Sequence, residues 1–235
     1  MMTITRAEVM KLAKTRATKW LLIVGWCIGV ASSVAISVFS PADQLSVAAV
    51  MMPLGLIATF IVPLVGIFVV AGDWQSREMV SVLLAEPRRL RVATAKVLVA
   101  SIAGVTYFTA SVVTGLVVGS IAGVARGERL DWISLGTGIQ TLSIGAATGL
   151  LMGIAFGAAT QNASAAIALT FAQSLLVDPA LGFLPGDVGS YLQSSAISAW
   201  ILDGGPPLAA LTGVLLWIVA PSVVGVRRFL AGEAA

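Results

Sequence analysis

The sequence predicts an all-α integral membrane protein with six transmembrane helices, and two observations lead to this class. Only 11% of the 235 residues are charged, while 58% are hydrophobic. Ordinary globular proteins carry about 25% charged residues, so this chain has too few to cover a water-soluble surface. Six apolar stretches are each long enough to cross a bilayer as a helix of about 20 residues. We expect one membrane domain over residues 1–235.

The composition also excludes several kinds of chemistry. Histidine is absent, and the one cysteine, Cys27, lies within an apolar stretch. An intrachain disulfide is therefore impossible, and neither a thiolate metal cluster nor a serine triad is expected. The chain has no glycine-rich loop ending in Lys-Ser or Lys-Thr, so it is not expected to bind ATP in that manner. We expect no catalytic residue, cofactor or metal on this chain, and no nucleic-acid partner.

The first predicted span, residues 20–39, follows five basic residues. It exceeds the roughly 7–15 residues of a signal-peptide core, although a cleaved signal peptide is the alternative. Thr5 to Glu8 fits a capping box, which predicts that a basic helix over 6–19 lies on the inner membrane surface. A plain positively charged anchor is the alternative to this interfacial helix.

The second and third spans are predicted at 45–72 and 97–125. The second contains no ionisable residue, but it contains Pro53 and Pro63. Prolines kink membrane helices where neighbouring groups can bind the carbonyls that they leave unpaired. We therefore expect a kinked second helix packed among others.

The next apolar stretch, 132–177, contains no charge. As one helix it would be about 70 Å long, more than twice the hydrocarbon core of about 30 Å. It must therefore double back, and its polar cluster at 160–164 is the expected turn. This predicts spans at 132–159 and 164–184, and the last span is predicted at 208–226.

The basic residues orient these spans. With the N-terminus inside, twelve of the fourteen basic residues fall in predicted cytoplasmic parts, and Arg126 and Arg129 fall outside. This asymmetry follows the positive-inside rule. An odd number of spans would place Arg227 and Arg228 outside, so six are favoured. We expect a multi-pass protein of the plasma membrane with both termini cytoplasmic, and the preference for Arg over Lys suggests a bacterial source.

The segment before the last span, 178–207, has three Asp and no basic residue. Its uncharged part, 188–202, is too short to cross the membrane. Asp187 fits as the cap of a short helix. We expect an outer interfacial or re-entrant element here, with a loosely structured loop as the alternative.

Small residues recur every four positions on three of the spans. This spacing lets helix backbones approach closely in lipid, either inside one subunit or, alternatively, at a dimer seam or a sliding surface. The predicted packing residues are Gly25, Gly29, Gly115, Gly119, Gly123, Gly145, Gly149, Gly153 and Gly157.

The longest charged stretch, 73–96, separates the second and third spans. Asp73–Leu84 is predicted to form one amphipathic helix, with its apolar side on the membrane and its polar side facing the cytoplasm. The Glu86-Pro87 pair stops this helix, because the residue before a proline avoids the helical region. A charged loop that only sets topology is the alternative.

This stretch resembles the loop between spans two and three of the permease subunits of type-2 ABC exporters. Those loops carry an acidic-aromatic start, a leucine pair, a proline, basic residues and a lysine opening the next span. The matching residues here are, in order, Asp73-Trp74, Leu83-Leu84, Pro87, Arg88-Arg89 and Lys96. The family often has Gly-Thr where this chain has Arg77-Glu78. The six spans, the N-terminal helix and the outer element extend the resemblance over the whole chain.

The resemblance implies that the loop is a cytoplasmic coupling helix that docks on an ATPase subunit. Two permease chains, identical or related, would assemble in the lipid membrane with two ATPase chains that bind ATP and Mg. The residues expected to contact the ATPase subunit are Asp73, Gln75, Arg77, Glu78, Glu86, Pro87, Arg88 and Arg89.

The implied function is export of a hydrophobic or amphipathic compound between the two permeases. Gln140 and Gln173 are candidates for the substrate path, or alternatively bond to neighbouring helices. A non-transport membrane scaffold and a self-powered secondary carrier are the alternatives. The carrier is disfavoured because the predicted spans lack interior ionisable residues, which proton-coupled carriers normally need.

Overall fold

The structure, a computed structural model, describes residues 10–11, 16–41, 45–127 and 132–231. This described part is all-helical, and six of its helices are long and apolar enough to cross a membrane. These six are α1 (Arg16–Phe39), α2 (Val47–Gln75), α4 (Arg89–Arg126), α5 (Trp132–Thr160), α6 (Ala163–Leu181) and α9 (Pro207–Ala231). The shorter helices are α3 (Met79–Ala85), α7 (Val188–Leu192) and α8 (Ser195–Asp203). The prediction of an all-helical, multi-pass membrane protein is confirmed to this extent.

Helix α2 occupies the centre of the bundle. In its most apolar window 67% of the residues are buried, against 17–44% for the other five long helices. It packs against α1, α4, α5 and α6. One core cluster joins Val62 and Val65 of α2 to Val99 of α4 and to Leu150 and Ile154 of α5. The outer faces of the surrounding helices are apolar and exposed, as lipid-facing surfaces are.

The predicted small-residue faces lie against α2. A Cβ atom on Gly115 would come within 2.7 Å of Met51, and one on Gly29 within 2.8 Å of Leu54. A Cβ atom on Gly153 would collide with the carbonyl oxygen of Pro63. The Gly153 contact is with backbone, which cannot give way to a larger side chain, whereas the Gly115 and Gly29 distances are to the side chains of Met51 and Leu54. These faces therefore serve packing inside one subunit.

The ends of two spans differ from the prediction. Helix α2 continues to Gln75, and α4 begins at Arg89 instead of residue 97. Charged residues at a helix end do not interrupt the backbone hydrogen bonds, and long basic side chains reach water from inside the membrane edge. Asp73 and Lys96 consequently lie within helices, which corrects the expectation of spans without interior charge.

The predicted helix Asp73–Leu84 is wrong in its extent. Residues 73–75 end α2, and a separate helix, α3, begins at Met79. Arg77 lies between α2 and α3 and has a φ of 59°, in the left-handed region. An L-residue in this conformation cannot continue a right-handed helix.

The chain doubles back within the predicted polar cluster. Helix α5 ends at Thr160 and α6 begins at Ala163, while Gln161 between them has a φ of 53°. The side chain of Asn162 caps α6 by accepting from the Ala165 amide at 3.1 Å. A polar cap therefore satisfies the backbone where two apolar helices meet.

The segment before the last span folds into two short helices, α7 and α8, and is not a loose loop. Asp187 precedes α7 but makes no side-chain capping bond, so its predicted role as a cap is wrong. Helix α6 contains a π-helical turn at Gln173–Val177, and α9 contains one at Leu215–Val219. We name this end of the bundle, where α7 and α8 lie, the capped end.

The opposite end, carrying Arg77, Arg88, Arg91, Arg227 and Arg228, is named the basic end. The predicted capping box and most of the predicted interfacial helix, 6–19, lie outside the described residues. Of that helix the structure describes residues 10–11, which are helical, and residues 16–19, which begin α1.

Candidate functional site at the basic end

The turn from α2 into α3 is a helix C-terminal motif with an unusual residue at its key position. The Arg77 amide donates to the Trp74 carbonyl at 3.2 Å, and the Glu78 amide donates to the Asp73 carbonyl at 2.9 Å. These two bonds define a Schellman motif, in which the left-handed position is most often glycine. Here Arg77 occupies that position. The turn sharply redirects the chain out of the bundle and into α3.

A buried carboxylate anchors this turn to α4. Asp73 Oδ2 lies 2.6 Å from Lys96 Nζ, and the two side chains are 9% and 3% exposed. Lys96 also donates to the Val69 carbonyl at 3.1 Å. A buried ion pair is tolerated only when additional hydrogen bonds satisfy both partners, as they do here. The pair ties the end of α2 to the third turn of α4.

Lys11 extends the Asp73–Lys96 pair into a cluster of three residues and connects this cluster to Glu78 in the α2–α3 turn. Its Nζ lies 2.6 Å from Asp73 Oδ1 and 2.9 Å from Glu78 Oε2. Partial burial disfavours the charged form of Lys11. Hydrogen bonds and charge from the Asp73 and Glu78 carboxylates outweigh that burial and raise the pKa of the ammonium above its usual value. The N-terminal segment is thereby attached to the α2–α3 turn.

Helix α3 has one inward and one outward face. Met79 is buried, whereas Val80 and Leu84 are 43% and 81% exposed. Residues four apart lie on the same face of a helix, so these two apolar side chains form one patch. Arg77 and Arg88 are exposed on either side of it. The outward face of α3 is therefore apolar with basic flanks.

The last helix closes the basic end from the other side. Arg89 Nη1 donates to the carbonyls of Phe229 and Leu230 at 2.7 and 3.3 Å. The Trp74 ring meets the Phe229 ring edge to face at 6.1 Å. Arg228 donates to the Ala159 carbonyl at 2.7 Å. These contacts join the ends of α2, α4, α5 and α9 into one unit beneath α3.

The eight predicted ATPase contacts therefore separate into two groups. Five are exposed: Gln75, Arg77, Glu78, Pro87 and Arg88. Asp73 is buried, Arg89 binds α9, and Glu86 is half-buried beside the Arg88 amide at 3.3 Å. Asp73 and Arg89 thus hold the bundle together and do not face outward.

Lys96 has a role that the sequence reasoning missed. The sequence indicates only that Lys96 opens the third span. One signal was present, because Asp73 and Lys96 directly border the second and third predicted spans on the same predicted side of the membrane. A charge pair across two adjacent helix ends is a plausible arrangement whenever both residues border hydrocarbon.

The two glutamines proposed for a substrate path lie on different helices, α5 and α6. Gln140 is exposed on α5. Gln173 is 2% exposed and donates to Asp178 Oδ1 at 3.1 Å and to Ser194 Oγ at 3.0 Å. It therefore links α6 to the start of α8 at the capped end. No group of three or more potential metal ligands occurs among the residues that the structure describes.

Comparison of the sequence with protein families and with curated proteins finds no relative. No protein-family model matches the chain. No curated protein matches it at a significant level.

Proposed function

We propose that the chain is the membrane-spanning subunit of an ABC transporter. It exports a hydrophobic or amphipathic compound, and a separate subunit hydrolyses the ATP. The observation that carries this proposal is the left-handed Arg77, with a φ of 59°. It stands where type-2 permeases often have glycine, the residue that this conformation favours. A left-handed residue at this position supports the resemblance, although the chain lacks the family's glycine.

The attachment of α3 to the bundle supports a role as a lever. Glu78 at its start is bound to Lys11, and Met79 is buried beneath it. Arg89, just after it, is bound to the last turn of α9. Force applied to α3 therefore reaches α2, α4 and α9 through short polar contacts and packed side chains.

The outward face of α3 supports a protein partner. Val80 and Leu84 form an exposed apolar patch on α3, with the exposed Arg77 and Arg88 on either side of it. Interfaces commonly combine an apolar centre with a polar rim, and charge on the rim guides association. We expect the ATPase to present an apolar groove with acidic edges.

The test is assembly with an ATPase. The tagged chain is purified from its own host in mild detergent, and co-purified subunits are identified by mass spectrometry. We expect a nucleotide-binding subunit in equal copy number, with two of each by native mass spectrometry, and ATP hydrolysis only in the complex. Hydrolysis by the pure chain, or the absence of any nucleotide-binding subunit, contradicts the proposal.

A self-powered secondary carrier is the second candidate, favoured by the buried Asp73–Lys96 pair. Ionisable residues inside membrane segments often carry protons in such proteins. The two candidates differ in their energy source. A protonophore should abolish transport by a proton-coupled carrier at once, whereas transport by the ABC complex in vesicles should depend on ATP.

A further inference from the structure

A second site lies at the capped end, in a cavity between α2, α5, α6 and α8. Its volume is about 360 Å³, at the lower end of the roughly 300–1,000 Å³ of small-molecule sites. The wall combines aliphatic and aromatic side chains with hydroxyl groups from all four helices. None of the residues of the basic-end site belongs to it.

Three threonine hydroxyls on this wall keep free acceptor positions. Thr59, Thr141 and Thr170 lie 2.7, 2.9 and 2.8 Å from carbonyl oxygens of their own helices. A carbonyl oxygen can only accept, so in each contact the threonine hydroxyl donates its single proton. Only the lone pairs of the hydroxyl oxygen then remain to bind a ligand. These groups suit a ligand that donates hydrogen bonds.

Asp178 adds a negative charge to the same wall. Its carboxylate accepts from Gln173 Nε2 at 3.1 Å, from the Ser194 amide at 2.6 Å and from the Ser195 amide at 3.2 Å. A carboxylate has about four acceptor positions, so one is left. The start of α8 offsets at most about half a charge. Among the described residues no Lys or Arg forms an ion pair with Asp178, and none lines the cavity.

Two aromatic rings complete the site. Phe60 and Phe171 both line the cavity, with ring centroids 6.3 Å apart and planes 16° from parallel. The face of an aromatic ring attracts a cation. Phe60 and Leu56 are also 39% and 53% exposed, so the rim on α2 is apolar. A ligand with a hydrophobic body can enter across this rim from the membrane.

We propose that this cavity binds an organic ammonium ion with an apolar body. The ammonium N–H groups donate to the Asp178 carboxylate, while the body lies against Phe60 and Phe171. An anion is repelled by the like charge of Asp178, and none of the described residues on the wall carries a basic side chain to compensate for it. The identification of this ligand class with the exported compound rests on the proposed function, but the binding itself does not.

Direct binding tests the proposal without ATP or a partner subunit. The purified chain in lipid nanodiscs is dialysed at pH 7 against radiolabelled 4-phenylbutylammonium, with empty nanodiscs as background. The neutral 4-phenylbutanol and the anionic 4-phenylbutyrate serve as matched ligands. We expect saturable binding of the ammonium, with a dissociation constant at least roughly tenfold lower than for either match.

Variants locate the binding. Phe171→Leu removes one aromatic ring from the wall, keeps an apolar side chain there, and should weaken ammonium binding by roughly three- to tenfold. The control is Phe183→Leu, which removes an exposed ring at the capped end outside the cavity. Asp178→Asn keeps an oxygen for the α8 amides but loses the charge. It should weaken the ammonium by roughly tenfold and leave the alcohol unchanged.

Three results overturn the proposal: no saturable ammonium binding, equal binding of the alcohol or the carboxylate, or a Phe171→Leu variant that binds like its control. If Asp178→Asn does not remain monodisperse, Phe171→Leu decides. A chain that binds the ammonium but recruits no ATPase retains the site and loses the transporter assignment. A chain that assembles with an ATPase but does not bind the ammonium keeps the transporter assignment and loses the proposed ammonium site.

Discussion

Asp73 and Lys96 join two membrane helices through a 2.6 Å contact between a buried carboxylate and a buried ammonium. The contact lies directly behind the α2–α3 turn, so it couples the position of the turn to α4. A buried ion pair of this kind adds little to stability compared with an apolar pair of similar size. Removal of only one partner, however, leaves a buried charge and is strongly destabilising.

Lys96→Met should therefore lower the free energy of unfolding by about 3 kcal/mol, because Asp73 would keep only Lys11 as a cation. Lys96→Met together with Asp73→Leu should recover most of that loss. Thermal unfolding of the purified variants in detergent measures both. A double variant that loses the sum of the two single losses would show that Asp73 and Lys96 are not energetically coupled and would contradict this prediction.

The Lys11 contacts should be independent of pH through the physiological range. A pKa that is raised in the folded state gives stability that is complete below the unfolded pKa and is lost as pH rises through the folded one. The ordinary value is 10.5. The difference in melting temperature between wild type and Lys11→Met should be constant from pH 6 to about 10 and shrink above it. A difference that shrinks already between pH 7 and 9 would contradict the raised pKa.

Arg77 should be better replaced by glycine than by any other residue. The left-handed conformation costs an L-residue about 1–2 kcal/mol, while glycine pays about 0.5–1 kcal/mol in chain entropy. Arg77→Gly should thus raise the free energy of unfolding by roughly 0.5 kcal/mol, and the β-branched Arg77→Val should lower it by about 1 kcal/mol. Equal stability of the two variants would show that the turn relaxes elsewhere.

The outward face of α3 should carry the affinity for the ATPase. Leu84→Glu and Arg88→Glu, made singly, should each weaken assembly by roughly tenfold or more, since each places negative charge in a proposed apolar and basic interface. Membrane insertion should survive, because other basic residues remain at this end. Pull-down of the tagged ATPase, with membrane abundance of each variant, gives the result.

Arg227→Glu is the matched control, an exposed charge reversal at the same end of the bundle but on α9. It is a better control than Arg126, which donates to the Ser40 and Val38 carbonyls at 2.8 and 2.5 Å. If Leu84→Glu and Arg88→Glu assemble as well as Arg227→Glu, α3 is not the docking element.

The orientation of the bundle can be measured with single cysteines in a Cys27→Ser background. Phe183, at the capped end, is 89% exposed and Leu84, at the basic end, is 81% exposed. Phe183→Cys should react with an impermeant thiol reagent on intact cells, and Leu84→Cys only after permeabilisation, because basic residues remain on the cytoplasmic side. Labelling of Leu84→Cys on intact cells would invert the topology.

The sequence by itself determined the class of protein, the number of long helices and the place where the fourth long helix, α5, ends and the fifth, α6, begins. These follow from local quantities, namely the length of each apolar stretch, the scarcity of charge and the single polar cluster at 160–164. A bilayer makes such quantities decisive, because a chain segment in hydrocarbon must satisfy its own backbone.

The tertiary structure alone decided how charge is used at both ends. Asp73 and Lys96 are separated by α3 in sequence and meet only because α2 packs along α4. Asp178 accepts a hydrogen bond from an amide at the start of α8, and the cavity beside it is formed by four helices. Hydrophobic patterning specifies how long a helix is, but the partner of a buried polar group depends on which helix faces lie together, and that is a property of the packed bundle.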